Sequence, residues 1–374
     1  MVKENHTRRR VLKATGASVI ALGGSGAAAG REDVREVNVG FDSASARRFA
    51  VEASNDVVRE FDSINAVTIR VPEQAVAALE RAPDVNYVEE NNRMHALAET
   101  MPWGVDRIDA DVAQTNGYTG AGADVAVVDT GIDADHPDLQ ANLGNGKTYH
   151  GSSWSDENGH GTHVAGTIAA VNNDSGVGSI APGATLHAVK VLNSNGSGSY
   201  SDIAAGIEWA ANQGHDVINL SLGGSKSATV ESAVEYAYGQ GSLLVGAAGG
   251  SGPCSGSCVG YPAAEPEVIA VGSTNENDEL ASFSSIGPEI ELAGPGTNVY
   301  STYYDDTYQT LSGTSMATAH VSGSAAQVAA VGYSNTDARQ RLRDTAEDLG
   351  LSGDEQGYGL VDVAAALGLN SGDN

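Results

Sequence analysis

Short apolar runs alternate with helical patterns over most of this chain, and this alternation constrains its fold more than any other feature. The runs are Val125–Val128, Leu186–Leu192, Val217–Leu222, Leu243–Ala248 and Val268–Val271. The helical patterns are His160–Val171, Tyr200–Gln213, Ser227–Tyr238, Ser315–Val331 and Thr336–Thr345. Continuous apolar strands that alternate with helices are typical of a parallel sheet with helices on both faces. In such sheets functional residues follow the carboxyl ends of strands.

A different pattern occupies residues 31–97. Its strand-like segments are Val37–Phe41, Asp56–Phe61, Ala66–Val71 and Asn86–Glu90. Its helical segments are Ser43–Glu52 and Glu73–Arg81, with Pro72 placed in a first helical turn. The order β-α-β-β-α-β predicts a small α+β, ferredoxin-like domain with helices on one face of an antiparallel sheet. Nothing in it looks catalytic, and alone the pattern is typical of a binding or chaperone module.

The first thirty residues predict a targeting segment. Basic residues within Thr7–Lys13 precede Ala14–Gly30, which is small, weakly apolar and rich in glycine. That second stretch is too short to span a bilayer, and no run of 18 apolar residues occurs elsewhere. The basic run resembles a twin-arginine export signal, which predicts a secreted protein. A disordered basic tail is the alternative.

Charge is distributed very unevenly. Residues 1–97 carry 13 basic and 14 acidic side chains, whereas residues 98–374 carry 7 basic and 34 acidic ones, a net charge of −27. A polyanion does not bind nucleic acid or an anionic membrane through charge. Such a surface suits very high salt, where repulsion is screened within about 3 Å at about 1 M. An ordinary acidic secreted protein is the alternative.

Three motifs follow the predicted strands in chain order and together suggest nucleophilic catalysis. Asp129 lies at the tip of the first strand, His160 opens a helical pattern, and Ser315 lies at the start of another. A hydroxyl nucleophile needs a neighbouring base, and the base needs an orienting carboxylate. Alone, Asp129 could be a loop acid or helix cap. His160 and His163 could suggest zinc, but a third ligand is missing from the motif.

The motifs around these residues are long and ordered. They are Val125–Asp133, His160–Thr167, Val189–Leu192, Val217–Gly224, Ala281–Ser285 and Gly313–Ala317. With them, residues 37–368 resemble subtilisin-type serine proteases (subtilases), most of all the secreted proteases of halophilic archaea. The resemblance implies an inhibitor propeptide at 31–97, cleaved between Leu97 and Ala98, and a subtilisin-like peptidase domain at 98–374.

The resemblance also assigns roles. Ser315 attacks the peptide carbonyl, His160 transfers the proton and Asp129 holds the imidazole, while His163 and His320 are packing residues. Two edge segments are expected to hold an extended substrate, and glycines are expected to shape the pocket for a large apolar residue before the cleaved bond. These substrate-binding residues are Gly196, Ser197, Gly198, Ser221, Leu222, Gly223, Gly249 and Gly260.

A structural Ca²⁺ ion is implied as well. Side chains of Glu99, Asp138 and Asn173, with carbonyl oxygens of Val171, Ser175 and Val177, match the family's calcium loop and supply about six hard oxygens. A turn rich in asparagine and glycine that binds no metal is the alternative.

Two positions depart from the family pattern. Gly250 stands where the family has the asparagine that donates to the oxyanion, which leaves the N–H of Ser315, with Thr314 or a water, for that role. Ala319 replaces a proline in the helix after Ser315. The alternative function is therefore a catalytically attenuated, subtilase-fold binding protein.

Remaining expectations concern the oxidation state and the partners. Cys254 and Cys258 are expected to form a disulfide that pins a small loop, with free thiols as the alternative. The expected partners are protein and peptide substrates and the chain's own propeptide, and we expect a monomer without nucleic acid.

Overall fold

The computed structural model describes residues 34–61, 63–91 and 99–370. The predicted targeting segment 1–30 and the predicted cleavage junction Leu97–Ala98 lie outside these residues. The chain divides into two compact units, Met1–His95 and Ala96–Asn374.

The first unit contains the predicted β-α-β-β-α-β order. Its elements are β1 (Val34–Phe41), α1 (Ala44–Ala53), β2 (Asp56–Glu60), β3 (Ala66–Pro72), α2 (Glu73–Glu80) and β4 (Val85–Glu90). The antiparallel sheet has the strand order β2-β3-β1-β4. Ser43 caps α1, because its side chain accepts the N–H of Ala46 at 3.2 Å. The placement of Pro72 in a helical turn is wrong: its backbone, with ψ 142°, ends β3 and immediately precedes α2.

The second unit alternates strands and helices. Its first half comprises β5 (Glu99–Thr100), α3 (Trp103–Arg107), α4 (Ala110–Thr115), β6 (Asp124–Asp129), β7 (Lys147–Thr148), α5 (His160–Ala169), β8 (Gly176–Val177), β9 (Thr185–Lys190) and α6 (Tyr200–Gln213). Its second half comprises β10 (Val217–Leu220), α7 (Ala228–Gln240), β11 (Leu243–Ala247), β12 (Val268–Thr274), β13 (Ile290–Pro295), β14 (Val299–Tyr303), β15 (Thr307–Leu311), α8 (Thr314–Ala330), α9 (Asn335–Asp344), α10 (Gly353–Gln356) and α11 (Val363–Ala366). No helix in the described part of the chain is long and apolar enough to cross a bilayer.

Seven strands form one parallel sheet with the order β13-β12-β11-β10-β6-β9-β7. Along β6, Val125 and Val127 enter the core cluster that includes α5 and α8, whereas Ala126 and Val128 enter the cluster of α6 and α7. Both faces of the strand are therefore buried, which explains its unbroken apolar run. The predicted parallel sheet with helices on both faces is confirmed.

Strand ends differ from the predicted ones where the chain turns into the functional edge. Strand β9 ends at Lys190 and β10 at Leu220, each two residues early, because the next residues leave the sheet. Strand β13 and the antiparallel β14–β15 hairpin were not predicted. Chain order switches between β6 and β10, since β9 pairs with one edge of β6 and β10 with the other. Ligands bind at such switch points.

Candidate active site

Asp129 and His160 meet at the carboxyl end of β6. Asp129 is the last residue of the strand and fully buried, and its Oδ1 and Oδ2 lie 2.8 and 3.0 Å from Nδ1 of His160. Asp129 Oδ1 also accepts the N–H of Thr130 at 2.7 Å. Burial disfavours protonation of His160, but the Asp129 carboxylate outweighs it and raises the pKa of the imidazole. The pair is thus arranged to stabilise a positive charge on His160.

Two glycines permit this approach of helix and strand. A Cβ on Gly161 would lie 2.2 Å from the carbonyl oxygen of Gly131, so only glycine lets α5 start against the turn after β6. Gly131 itself has φ +111°, a left-handed conformation that glycine adopts readily. The glycines of both motifs therefore serve the contact between Asp129 and His160.

Ser315 lies in the first turn of α8, where backbone N–H groups have no acceptor within the helix. Its Oγ donates to the carbonyl oxygen of Ser221 at 3.3 Å, and the Ser221 hydroxyl donates to the carbonyl oxygen of Ser315 at 3.0 Å. Within the described residues, no hydrogen bond joins Ser315 to His160 in this conformation. Hydrogen bonds between nucleophile and base are often long before substrate binds. Helix α8 runs unbroken through Ala319, so that substitution does not interrupt it.

Two adjoining cavities form a cleft along these residues. The first, of about 460 Å³, contains His160 and both edge segments, and the second, of about 700 Å³, contains Ser315. The edge segment Ser221–Gly224 lines both cavities. All eight residues predicted to bind substrate line the cleft: Gly196, Ser197 and Gly198 the first cavity, Gly249 and Gly260 the second, and Ser221, Leu222 and Gly223 both.

Gly250 and Thr314 line the second cavity beside Ser315. The Thr314 hydroxyl accepts the N–H of Gly249 at 3.1 Å, which leaves its own proton for another acceptor. The left-handed backbone conformation in this loop lies at Gly249, with φ +109°, and not at Gly250. A Cβ on Gly250 would meet nothing within 4 Å. Position 250 therefore has room for a larger side chain.

The other two histidines of these motifs are buried. His163 Nε2 lies 3.0 and 3.1 Å from the carbonyl oxygens of Val299 and Gln309, and His320 Nδ1 lies 2.8 Å from that of Met316. Burial lowers the pKa of each to about 4. Both rings are therefore neutral at pH 7 and pack between helices and strands, as the sequence predicts.

Three of the predicted calcium ligands, Val171, Asn173 and Val177, contact Asp138. Its Oδ2 accepts the N–H of Val177 at 3.0 Å, its main chain pairs with Val171, and its Oδ1 lies 3.3 Å from Asn173 Nδ2. Strand β5 pairs with β8 and brings Glu99 beside Gly176. A Cβ on Gly176 would lie 1.9 Å from Asp138 Oδ2, so this contact also requires glycine.

The electrostatics of this loop fit a cation. Glu99 Oε1 is buried and has no hydrogen-bond partner. Burial, followed by the carboxylates of Asp138 and Asp174, raises the pKa of Glu99. The Asn173 Oδ1 atom is engaged by the N–H and hydroxyl of Ser175, which closes the turn. A buried orphan carboxylate oxygen among like charges is what a hard divalent cation would satisfy.

A second acidic group was missed by sequence analysis. Carboxylate oxygens of Asp133, Asp135 and Asp306 lie within 4.8 Å of one another. Burial, followed by contact with Asp135, raises the pKa of Asp133 to about 6. Asp133 belongs to a predicted motif, but Asp306 arrives from the unpredicted β14–β15 hairpin, so no local signal could have found the group.

Cys254 and Cys258 form the predicted disulfide, with Cα atoms 6.2 Å apart, and the alternative of free thiols is wrong. Cys258 lines the cavity that contains Ser315. The main chain anchors the same loop, because Gly252 donates to Phe283 O and Cys258 donates to Ile286 O, both at 2.9 Å. The disulfide thus closes a loop that forms part of the wall of the second cavity.

Known proteins match both units. A profile of the Subtilase family matches residues 120–360, and one of the Fervidolysin N-terminal prodomain matches residues 34–91. The chain is 46% identical over 318 residues to an "Alkaline protease" of Alkalihalobacillus alcalophilus, covering 84% of this chain and 82% of that protein. It is 44% identical over 331 residues to "Subtilisin E" of Bacillus subtilis (strain 168), covering 87% and 86%. A "Thermostable alkaline protease" of Halalkalibacterium halodurans is 45% identical over 346 residues, covering 91% and 94%.

Proposed function

This chain belongs to the subtilase family and is a serine protease with an N-terminal prodomain, and we propose that it acts as a secreted endopeptidase with Asp129, His160 and Ser315 as its catalytic triad. The observation that carries the proposal is the 2.8 Å contact between buried Asp129 and His160, because His160 lines a cleft that also contains Ser315. The peptidase unit of the chain has the subtilase α/β fold.

The triad accounts for hydrolysis through an acyl-enzyme. His160 Nε2 takes the proton from Ser315 Oγ as this oxygen bonds to the peptide carbonyl carbon, and then gives the proton to the leaving amine as the C–N bond breaks. In the second half-reaction His160 takes a proton from water as the water oxygen bonds to the acyl carbon. It then returns the proton to Ser315 Oγ as the ester bond breaks and the carboxylic acid leaves. Asp129 stabilises the intervening imidazolium, consistent with the raised pKa of His160.

The cleft supports a preference for extended peptides with a large apolar residue before the cleaved bond. Gly196–Gly198 and Ser221–Gly223 offer two backbone edges between which a peptide adds a strand. Gly249 and Gly260 line the second cavity without side chains, which leaves the volume to the substrate. The substrates are therefore proteins and peptides.

The oxyanion site consists of the Ser315 N–H and the Thr314 hydroxyl, with open space at Gly250. Preorganised donors at this position stabilise the transition state more than the bound substrate. With one side-chain donor fewer than the family pattern, the enzyme is expected to be slow. The lack of a side-chain donor at Gly250 also favours the second candidate function, a catalytically attenuated binding protein.

Calcium is the proposed structural cofactor. Glu99, Asp138 and Asn173 would hold it through side chains, Asn173 by exchanging the hydrogen bonds that its Oδ1 accepts from Ser175 for the ion, and Val171, Ser175 and Val177 through main-chain carbonyls. A bound calcium ion supplies positive charge that offsets the repulsion between Glu99, Asp138 and Asp174. It is expected to stabilise the native state by mass action.

We further propose that the protein is exported by the twin-arginine route and works as a monomer in high salt. With a net charge of −27 on residues 98–374, loss of screening below about 1 M salt should inactivate it. Calcium should slow this inactivation, measured as residual activity against time at several salt concentrations. Full activity in dilute buffer with a chelator would contradict both ideas.

The N-terminal unit is the proposed inhibitor propeptide, which occupies residues 31–97. Leu97 is a large apolar residue of the kind proposed for the second cavity, so maturation should cleave between Leu97 and Ala98. N-terminal sequencing of the secreted form tests this. A start well before Arg93 or beyond Trp103 would overturn it.

A fluorophosphonate label on matured protein in molar salt separates the two functions. An active serine protease is labelled at Ser315, and Ser315→Ala abolishes the labelling. Folded, matured protein that takes up no label would favour the binding protein instead. Mass spectrometry of the labelled peptide identifies the residue.

A further inference from the structure

The cavity beside His160 contains an unexpected acidic residue. Glu265 lines it and is only 5% exposed, although much of the remaining lining is apolar, including Leu192, Ile203 and Val230. Burying a carboxylate is costly unless it is paired and hydrogen-bonded. Burial raises the pKa of Glu265, which reflects that cost. The pairing of this carboxylate therefore decides what the cavity accepts.

Glu265 is poorly paired. Its nearest cation is Lys226, whose Nζ lies 3.6 Å from Oε2, beyond hydrogen-bond distance. The same Nζ lies 2.8 Å from Glu231 Oε1, so two carboxylates share one ammonium group that is half exposed. Within the described residues, no hydrogen bond of 3.5 Å or less reaches the Glu265 carboxylate. The local charge is therefore negative and incompletely neutralised.

A second buried carboxylate of the chain shows what a purely structural arrangement looks like. Glu291 is 6% exposed, and its Oε1 accepts from Arg339 Nε at 2.8 Å and from Arg343 Nε at 2.7 Å. These arginines outweigh burial and lower the pKa of Glu291. Glu265 has equal burial without such partners, and it lines a substrate cleft, where a ligand can supply the missing cation.

The chain path places Glu265 away from the reacting bond. Ser221 contacts Ser315, and three residues later Gly224 pairs with Tyr261 through hydrogen bonds of 2.8 and 3.1 Å. Glu265 follows Tyr261 by about one helical turn, as the Glu265 N–H donates to Pro262 O. An extended peptide advances about 3.3 Å per residue, and alternate side chains share a face. In a peptide bound along Ser221–Gly224, the second and fourth residues before the cleaved bond would therefore face the cavity that contains His160. The fourth residue would reach the end of that cavity near Gly224.

We propose that Glu265 makes this cavity a subsite for a cationic side chain, lysine or arginine, at the fourth residue before the cleaved bond. This inference rests on the proposed endopeptidase function. The substrate's ammonium or guanidinium group completes the pairing of the carboxylate and donates the hydrogen bonds it lacks. Hydrogen bonds to charged groups are worth more than neutral ones, and partly buried pairs are screened less by salt.

The test uses three peptide anilides that differ only at the fourth residue, which is lysine, norleucine or glutamate, with leucine before the cleaved bond. The matured enzyme should cleave the lysine peptide with a kcat/KM about 10-fold above the norleucine peptide, chiefly through KM, and should cleave the glutamate peptide most slowly. Equal rates for lysine and norleucine would overturn the inference. Failure to cleave any of the three would instead contradict the proposed function.

Three variants assign the preference to Glu265. Glu265→Gln should reduce the lysine-to-norleucine ratio to about 1, because the amide carries no charge. Lys226→Gln should raise the ratio, because it removes the ammonium group that competes with the substrate for Glu265. Because the Lys226 side chain is half exposed, we expect this variant to fold. Glu267→Gln, which removes a nearby charge outside the cavity, is the matched control and should leave the ratio unchanged. A ratio unaffected by both Glu265→Gln and Lys226→Gln would overturn the proposal.

Discussion

The two ends of strand β6 carry the same pair of residue types in the same contact, but only one end lies at the cleft. At the carboxyl end, Asp129 Oδ1 lies 2.8 Å from His160 Nδ1. At the amino end, Asp124 Oδ1 lies 2.8 Å from His187 Nε2. The contact itself therefore does not distinguish a catalytic pair from a structural one.

What surrounds each pair does distinguish them. Asp129 is fully buried and His160 is 29% exposed toward the cleft, whereas Asp124 is 45% exposed and the His187 side chain only 9%. The second ring nitrogen of His187 lies 3.0 Å from Asn145 O, and its ring stacks on His215 at 4.0 Å between centroids. His187 thus has no nitrogen free for a substrate, whereas no hydrogen bond within the described residues engages the Nε2 of His160, which lines the cleft. A base needs an unoccupied nitrogen as well as an orienting carboxylate.

The largest expected effect is the contrast between the two histidines in catalysis. His160→Ala should lower kcat by on the order of 10⁶-fold, the loss known for the corresponding change in subtilisin, because the serine loses its base. His187→Gln should change kcat/KM by less than about 3-fold, because the residue touches no part of the cleft.

The measurement is steady-state kinetics on a peptide anilide, with both variants matured in trans by added wild-type enzyme that is then removed. The Ser315→Ala protein, treated identically, gives the background. A comparable loss in both variants would mean that the amino end of β6 supports catalysis as well as the carboxyl end.

The second-largest expected effect tests whether the site at the carboxyl end of β6 lacks a hydrogen-bond donor for the oxyanion. Gly250→Asn should raise kcat roughly 10- to 10³-fold with KM changed only a few-fold, because a preorganised amide acts on the developing oxyanion. The side chain has open space, and the backbone at 250 is not left-handed, so the variant should fold. Gly250→Ala is the matched control, since it adds a Cβ without a donor. A folded, titrated asparagine variant no faster than the alanine control would show that another donor already fills the role.

The smallest effect concerns stability against pH, where the two ends should respond in opposite senses. Burial, followed by the neighbouring His187, lowers the pKa of His215 to about 4 at the amino end. The unfolded chain, with an ordinary pKa near 6.5, binds this proton first, so His215 reduces stability as pH falls from about 6.5 to about 4, by up to about 1.4 kcal/mol per pH unit. His160 has a raised pKa, so its contribution is present at low pH and is lost as pH rises through the folded value.

Thermal midpoints at fixed scan rate and salt, measured on Ser315→Ala protein to prevent autolysis, test this opposition. Adding His215→Gln should flatten the acid side of the pH profile, and adding His160→Gln should flatten the side above about 6.5. Parallel shifts of the whole profile in both variants would contradict the assignment of the two slopes.

Much of the fold and of the site could be predicted from the sequence because the signals are local. Apolar runs with helical patterns between them give the parallel sheet, and the motifs that contain Gly131 and Gly161 mark the strand end and helix start that bear Asp129 and His160. Strand β13 was missed because its burial depends on neighbours that have no local signature. The disulfide between Cys254 and Cys258 was expected because export places cysteines in an oxidising environment.

The sequence by itself determined the architecture and the chemical types at the functional edge, because periodicity and motif order are encoded within short segments of the chain. Only the tertiary structure decided which of two equivalent Asp–His contacts lies at a cleft, and which buried carboxylate is incompletely paired. Glu265 and Lys226 are 39 residues apart, as Asp133 and Asp306 are 173 apart, and each pair meets only after the chain has folded. Electrostatic energies depend on separation and burial in space, and sequence distance specifies neither.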